Sequence, residues 1–265
     1  MTYHSRLPLL ALLAVTMLIA LPAQADNFLQ DLNGDGQVSF VSFGDSITLG
    51  DGDGIRPKQH VSRVPDGHSG TGYSARLEAW LGIPAMNGGR GGEYLTAGGL
   101  YRLPGLVLSS NADIVGFMEG TNDVFGHANL GNAERDYQRA INIILALGRQ
   151  PLMLTLPQTC CNRSRGRPGL SYLSNIVRTL AAANQVPLAD VERAWGSVCS
   201  GAGECDLLCI PEGLHPNTAG YDLIAQTAAA ALLGIDVFAP DGAAKLEQAL
   251  GWAPGTVLIR SNQTE

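Results

Sequence analysis

The sequence predicts an α/β domain: one parallel sheet with helices packed on both faces. Three observations lead there. Apolar runs of strand length recur at residues 38–43, 83–86, 113–118, 151–156 and 186–191. Stretches with helical apolar spacing lie between and after them, at 73–81, 134–147, 170–183 and 218–233. Two of the strands run straight into Gly and then into polar residues, Asp45-Ser46 after Gly44 and Thr121-Asn122-Asp123 after Gly120. In open α/β folds ligands bind at that carboxyl edge of the sheet.

Taken in order, the chain opens on a segment that stands apart from this pattern. Arg6 precedes an apolar stretch, Leu9 to Leu21, and Ala23-Gln24-Ala25 is a small-x-small cleavage box. Residues 1–25 therefore read as an export leader, and residues 26–265 as a single domain beginning at Asp26. Without the leader, 16 basic and 24 acidic residues leave a net charge of −8, which disfavours nucleic acid and anionic membranes as partners. No later stretch is apolar for long enough to cross a bilayer. The expectation is a secreted or periplasmic monomer.

Asp31-Leu32-Asn33-Gly34-Asp35-Gly36 matches the first half of a calcium loop, with oxygen ligands at positions 1, 3 and 5 and Gly at 6. Position 12 is Ser42, so the bidentate carboxylate is missing. The alternative is a plain Asx/Gly turn entering the first strand. Asp51 and Asp53 could complete a calcium site from the next loop. Residues 50–72 are rich in Gly, Pro, Asp and His and should shape the mouth of a site; His60 and His68 read as surface loop residues. After the strand at 83–86 comes Asn87-Gly88-Gly89-Arg90-Gly91-Gly92, whose glycines allow backbone N–H groups to meet a bound group unshielded.

The five cysteines, Cys160, Cys161, Cys199, Cys205 and Cys209, all fall in the second half. In an exported chain they suggest two disulfides and one free thiol, with a pairing that spacing does not reveal and with Cys209 expected in a bridge. Residues 192–214 read as a cysteine-rich connection, and residues 235–265 as a tail without an assigned element.

Three placements carry chemistry. Ser46 follows a strand that ends in glycine, so its hydroxyl stands at the sheet edge, as an N-cap or as a nucleophile. Asn122 could donate its amide to an oxyanion or cap a helix. His215 opens the last helix with Glu212 three residues before it, and a carboxylate near an imidazole fixes its tautomer and stabilises its charged form.

Gly44-Asp45-Ser46-Ile47-Thr48, Gly92, Gly120-Thr121-Asn122-Asp123 and His215-Pro216-Asn217 occur in the order and rough spacing of the GDSL/SGNH hydrolases, and over residues 38–234 the chain resembles that family. The resemblance implies a three-layer α/β/α fold on a five-stranded, parallel, flavodoxin-like sheet and ester or thioester hydrolysis without a cofactor. It also implies roles: Ser46 as nucleophile and, through its N–H, first oxyanion donor; Gly92 (or its neighbour Gly91) and Asn122 as the other donors; His215 as base. The family closes on Asp-x-x-His, whereas this chain has Glu212-Gly213-Leu214-His215. The longer side chain puts the acid in doubt, with Asp206 as a second candidate. The α/β-hydrolase elbow Gly-x-Ser-x-Gly is absent, because Thr48 stands where its last glycine belongs.

A secreted serine esterase acting on small acyl esters is the expected function, with a small-molecule or carbohydrate ester as substrate. An acyltransferase, or a binding or structural protein with a degraded site, are the alternatives. Aromatics make up only 6% of the chain, which does not signal an extended sugar-stacking groove.

Overall fold

The computed structural model describes residues 27–61, 64, 71–199, 201 and 203–260; the leader reading and His68 lie outside them. Five parallel strands, β1 (Phe40–Gly44), β2 (Ala85–Gly89), β3 (Ile114–Met118), β4 (Gln150–Leu154) and β5 (Leu188–Ala189), stand in the order β2-β1-β3-β4-β5. Helices α2 (Gly72–Leu81) and α8 (Thr218–Leu232) pack together on one face, joined by α7 (Val191–Val198). On the other face lie α3 (Leu100–Ser110), α5 (Ala133–Ala146) and α6 (Arg167–Asn184). The expected three-layer α/β/α sandwich is what forms. Its strand order reverses between β1 and β3, and at such a switch point the carboxyl ends of neighbouring strands part to leave a crevice.

The central strands are apolar on both sides. Every residue of β1 and β3 is buried, and Phe43 stacks on Phe117 with ring centroids 5.2 Å apart. Burying each such ring contributes up to about 3 kcal/mol. Ser42, in the middle of β1, accepts a 2.7 Å hydrogen bond from the Ser74 hydroxyl on α2, so its burial leaves no orphan. Gly44 ends the strand for a reason other than a left-handed turn. Its φ is not positive, but a Cβ there would collide with the Met118 carbonyl and the Thr48 hydroxyl.

Several boundaries differ from the sequence expectation. The second strand runs through Asn87, Gly88 and Gly89, in register with Ser42, Phe43 and Gly44, so half of the glycine run is sheet. Residues 94–112 showed no clear element in sequence, yet they hold a π-turn at Leu95–Gly99 and then α3, which contains Pro104. The Pro104-Gly105 pair hides a helix from pattern reading. The fifth strand shrinks to two residues because Asp190 caps α7, accepting from Arg193 N–H. The tail is not without structure: α9 (Gly242–Leu250) buries Leu246, Ile259 joins the core, and Trp252 meets Trp80 edge-on at 4.8 Å.

At the opposite, amino end of the sheet, the fully buried Asp113 carboxylate accepts from the N–H groups of Leu32, Asn33 and Ser39 and from the Ser39 hydroxyl, all at 2.8 Å. Burial raises its pKa, but these donors outweigh burial and hold it below the usual range. The turn that resembles half a calcium loop is thereby fastened to β3. Within it, Asp31 accepts from Gly34 and Gly36, Asn33 from Asp35, and Asp35 from Gln37.

Candidate active site

Ser46 is the first residue of a one-turn helix, α1 (Ser46–Leu49), set directly on the end of β1. Asp45 is its N-cap, accepting from Ile47 N–H at 2.9 Å, while the N–H of Ser46 belongs to the same unsatisfied first turn. Gly50 closes the turn in the left-handed region. The Thr48 hydroxyl reaches the Met118 carbonyl, which fastens α1 to the end of β3. The Ser46 side chain is therefore held at the crevice and is 8% exposed.

The donors expected around it lie on the same rim. Gly92, at φ +73°, sits in the turn that follows β2, a conformation that favours glycine. Arg90 N–H donates to the Gly44 carbonyl at 2.8 Å, joining that turn to the end of β1. Asn122, in α4 (Thr121–Phe125), donates from Nδ2 to the Glu93 carbonyl at 2.9 Å, which leaves its second amide proton for another acceptor. Asp123 accepts from Leu95 N–H, Thr96 N–H and the Thr96 hydroxyl. Glu93 is clamped by Arg102, whose guanidinium also donates to the Gly88 carbonyl and lies 4.2 Å over the Phe43 ring. An open cavity of about 360 Å³ adjoins this turn, lined by Arg90, Gly92, Tyr94 and Gly98 among others.

His215 comes from the segment between α7 and α8. Its Nε2 stands 3.0 Å from Ser46 Oγ. Glu212 Oε1 lies 3.4 Å from Nδ1, while Glu212 Oε2 accepts from the N–H groups of Leu214 and His215 at 2.9 Å. Nδ1 is buried, and at this distance and angle it closes no hydrogen bond, yet the carboxylate is near enough to act by its charge. Burial lowers the His215 pKa, but Glu212 outweighs it, helped by Asp51 and Asp45, and the net shift is upward. For Glu212, burial raises the pKa; His215 and the two backbone N–H groups bring it below the usual carboxylate range.

Ser46, His215 and Glu212 thus come together from positions far apart in sequence, and Gly92 and Asn122 share the rim with them. Asp206 does not. Its carboxylate faces Lys58 at 3.5 Å on the exposed surface. His60 is likewise exposed, bridging to Ile210 through its backbone. Asp53, weighed above as a calcium ligand, pairs with Arg76 at 2.7 Å. Cys160–Cys161 and Cys199–Cys205 are the disulfides, so the expectation of a bridged Cys209 is corrected: that residue is a buried free thiol. Burial, with the charge of Glu212 adding to it, pushes its pKa up to about 12, which leaves no thiolate for nucleophilic work. Among the described residues no group of three or more His, Cys, Asp or Glu is arranged to hold a metal ion, and no helix is long and apolar enough to cross a membrane.

Two acidic residues near the crevice escaped the sequence reading as parts of the site. Glu119 is buried with neither carboxylate oxygen hydrogen-bonded; burial, then the charges of Asp45, Glu93 and Asp123, pushes its pKa well up. Asp51 lies with Oδ2 4.0 Å from His215 Nε2. Asp51 lies five residues beyond Ser46, and in sequence it was weighed only as a calcium ligand.

The sequence profile of the GDSL-like lipase/acylhydrolase family matches residues 42–223. A comparison with curated proteins found no match. Among solved structures, an acetylxylan esterase from Geobacillus stearothermophilus is 19% identical, covering 88% of this chain and 100% of its own, with a TM-score of 0.57. A lipase/acylhydrolase from Enterococcus faecalis is 23% identical over 72% of this chain and 93% of its own, at a TM-score of 0.57. At such identities the likeness concerns the fold.

Proposed function

The chain belongs to the GDSL-like lipase/acylhydrolase family and is an ester-bond hydrolase, and from that premise we propose that it is a secreted serine esterase that works through an acyl-enzyme on Ser46. The observation that carries this reading is the 3.0 Å approach of His215 Nε2 to Ser46 Oγ with Glu212 at the far nitrogen. His215 takes the Ser46 proton as Oγ attacks the ester carbonyl. The oxyanion is met by the N–H groups of Ser46 and Gly92 and by the free amide proton of Asn122, each donor worth about 3 kcal/mol of barrier. His215 then protonates the leaving alcohol, and water releases the acyl group by the same path. Glu212 supports the imidazolium by its charge.

Short acyl groups and a carbohydrate alcohol are the substrate class. The sequence offers no long apolar lid stretch for a long acyl chain, and one structural neighbour is an acetylxylan esterase. Export is supported by the apolar segment and cleavage box in residues 1–25 and by two disulfides, which persist in oxidising compartments.

The test is hydrolysis of p-nitrophenyl acetate, butyrate and palmitate by the chain from Asp26 onward, with and without Ser46→Ala. Activity that falls from acetate to palmitate and vanishes in Ser46→Ala is expected. Persistence of activity in that variant would remove Ser46 from the mechanism, and a preference for palmitate would overturn the small-acyl reading.

A further inference from the structure

The His215 ring is bracketed by two carboxylates. Glu212 stands 3.4 Å from Nδ1, and Asp51 Oδ2 stands 4.0 Å from Nε2, the nitrogen that meets Ser46 Oγ at 3.0 Å. In acyl transfer the oxygen of the leaving alcohol must come within hydrogen-bond reach of that nitrogen, because it receives its proton there. A carboxylate so close to Nε2 therefore stands beside the leaving alcohol rather than the acyl group.

The backbone fixes it in that place. Asp51 N–H donates to the Ser46 carbonyl at 3.0 Å, and the Asp51 carbonyl accepts from the fully buried Tyr221 at 2.8 Å. The side chain is largely buried, 15% exposed.

We propose that Asp51 sets the leaving-group specificity of the reaction proposed for Ser46 and His215: its carboxylate accepts a hydrogen bond from a hydroxyl on the carbon next to the ester oxygen. The site then selects monoacyl esters of vicinal diols, as found on sugars and polyols, over esters of simple alcohols. An ionised carboxylate only accepts, and hydrogen bonds to it are about twice as strong as neutral ones. An ether in the same place has no proton to give. A site built to hydrogen-bond a substrate hydroxyl discriminates strongly against an analogue that lacks it. The same charge repels leaving groups that carry a phosphate. The charges of Glu212, Asp51 and Asp45 each favour the charged form of the imidazole.

The experiment compares 2-hydroxyethyl acetate with 2-methoxyethyl acetate, which share the inductive effect of an oxygen on the next carbon but differ in the proton. The unaltered protein is expected to prefer the hydroxy ester by ~10-fold or more in kcat/KM. Asp51→Ala removes the acceptor and brings the two esters level. Asp51→Asn keeps a neutral acceptor and gives an intermediate ratio. In both variants the acid limb of kcat/KM moves to lower pH, since a negative charge beside His215 is lost. A purely structural disturbance would slow both esters alike and leave the ratio intact. Absence of any preference in the unaltered protein, or its full survival in Asp51→Ala, overturns the proposal. Loss of both activities in Ser46→Ala with the preference surviving in Asp51→Ala sinks the role of Asp51 alone. Activity surviving in Ser46→Ala sinks the underlying mechanism.

Discussion

Ser46 stands two residues past a strand, whereas His215 stands on a strand-poor segment between two helices. The first is placed by the register of the sheet. Gly44 is paired with Gly89 on one side and Met118 on the other, and the Gly92 turn and Asn122 follow from the ends of those same strands. The second is placed by a local net. Cys209 N–H donates to the His215 carbonyl, Gly213 N–H to the Cys209 carbonyl, Cys160 N–H to the Gly213 carbonyl, and Asn217 both caps α8 and donates to the Asp206 and Leu208 carbonyls. A sheet edge positions several groups at once and tolerates little adjustment. A net of single hydrogen bonds positions one side chain and leaves room for a longer acid.

The contrast can be tested from both sides. The largest effect should come from the base: His215→Ala is expected to lower kcat on p-nitrophenyl acetate ~10,000-fold or more, since members of such a unit are grossly non-additive. On the sheet side, Asn122→Ala should lower kcat by ~100–1000-fold with little change in KM, the signature of an interaction made only in the transition state. A change confined to KM would show that Asn122 does not meet the oxyanion.

Glu212→Gln should be milder, ~10–100-fold, against the ~10,000-fold that loss of the acid brings where its bond to the imidazole is closed. Equal losses in Glu212→Gln and His215→Ala would make Glu212 a full member of the triad. The acid limb of kcat/KM should also move to lower pH, because neutral His215 is the active form and Glu212 raises its pKa. Stability carries a matching sign. Glu212, depressed below 4.5, stabilises above that value and loses the effect as pH falls through its folded pKa; His215, raised above 6.5, stabilises below that value and loses the effect as pH rises through its folded pKa. The Tm gap between the unaltered protein and Glu212→Gln should therefore be widest between pH 4.5 and 6.5. A gap that does not narrow toward pH 9 would contradict the pairing.

The smallest effect on catalysis belongs to the far end of the sheet. Asp113→Asn sets an amide against N–H donors and should reduce stability by ~1–3 kcal/mol, read as a lower Tm, with kcat/KM unchanged. A fall in kcat/KM at a temperature where the variant is folded would mean that the amino end of the sheet also governs the site.

How much was legible in the sequence follows the same division. Strand, glycine and polar residue at 40–46 and 114–123 announce both themselves and their edge, because alternation of elements and the run of β-branched and aromatic residues are local signals. The chain order of Ser46, Gly92, Asn122 and His215 was enough to name the family. The approach of Glu212 to Nδ1 and the bracketing by Asp51 were not readable, since both depend on how a segment without regular structure folds back across the site. The same holds for the free state of Cys209. Pairing among five cysteines is not written in their spacing, even though the two observed bridges join residues adjacent or six apart. The helix containing Pro104 was hidden by composition alone.

The buried Cys209 thiol touches both halves of the crevice, its sulfur 3.8 Å from the Gly52 carbonyl and 3.6 Å from the Pro216 carbonyl. It is the one free cysteine among the described residues. A thiol-specific dye therefore reads a single position, and because that thiol is buried it reacts only through openings that expose it. Without labelling or engineering, the native thiol is a built-in gauge of how often the packing between the Gly52 and Pro216 segments loosens.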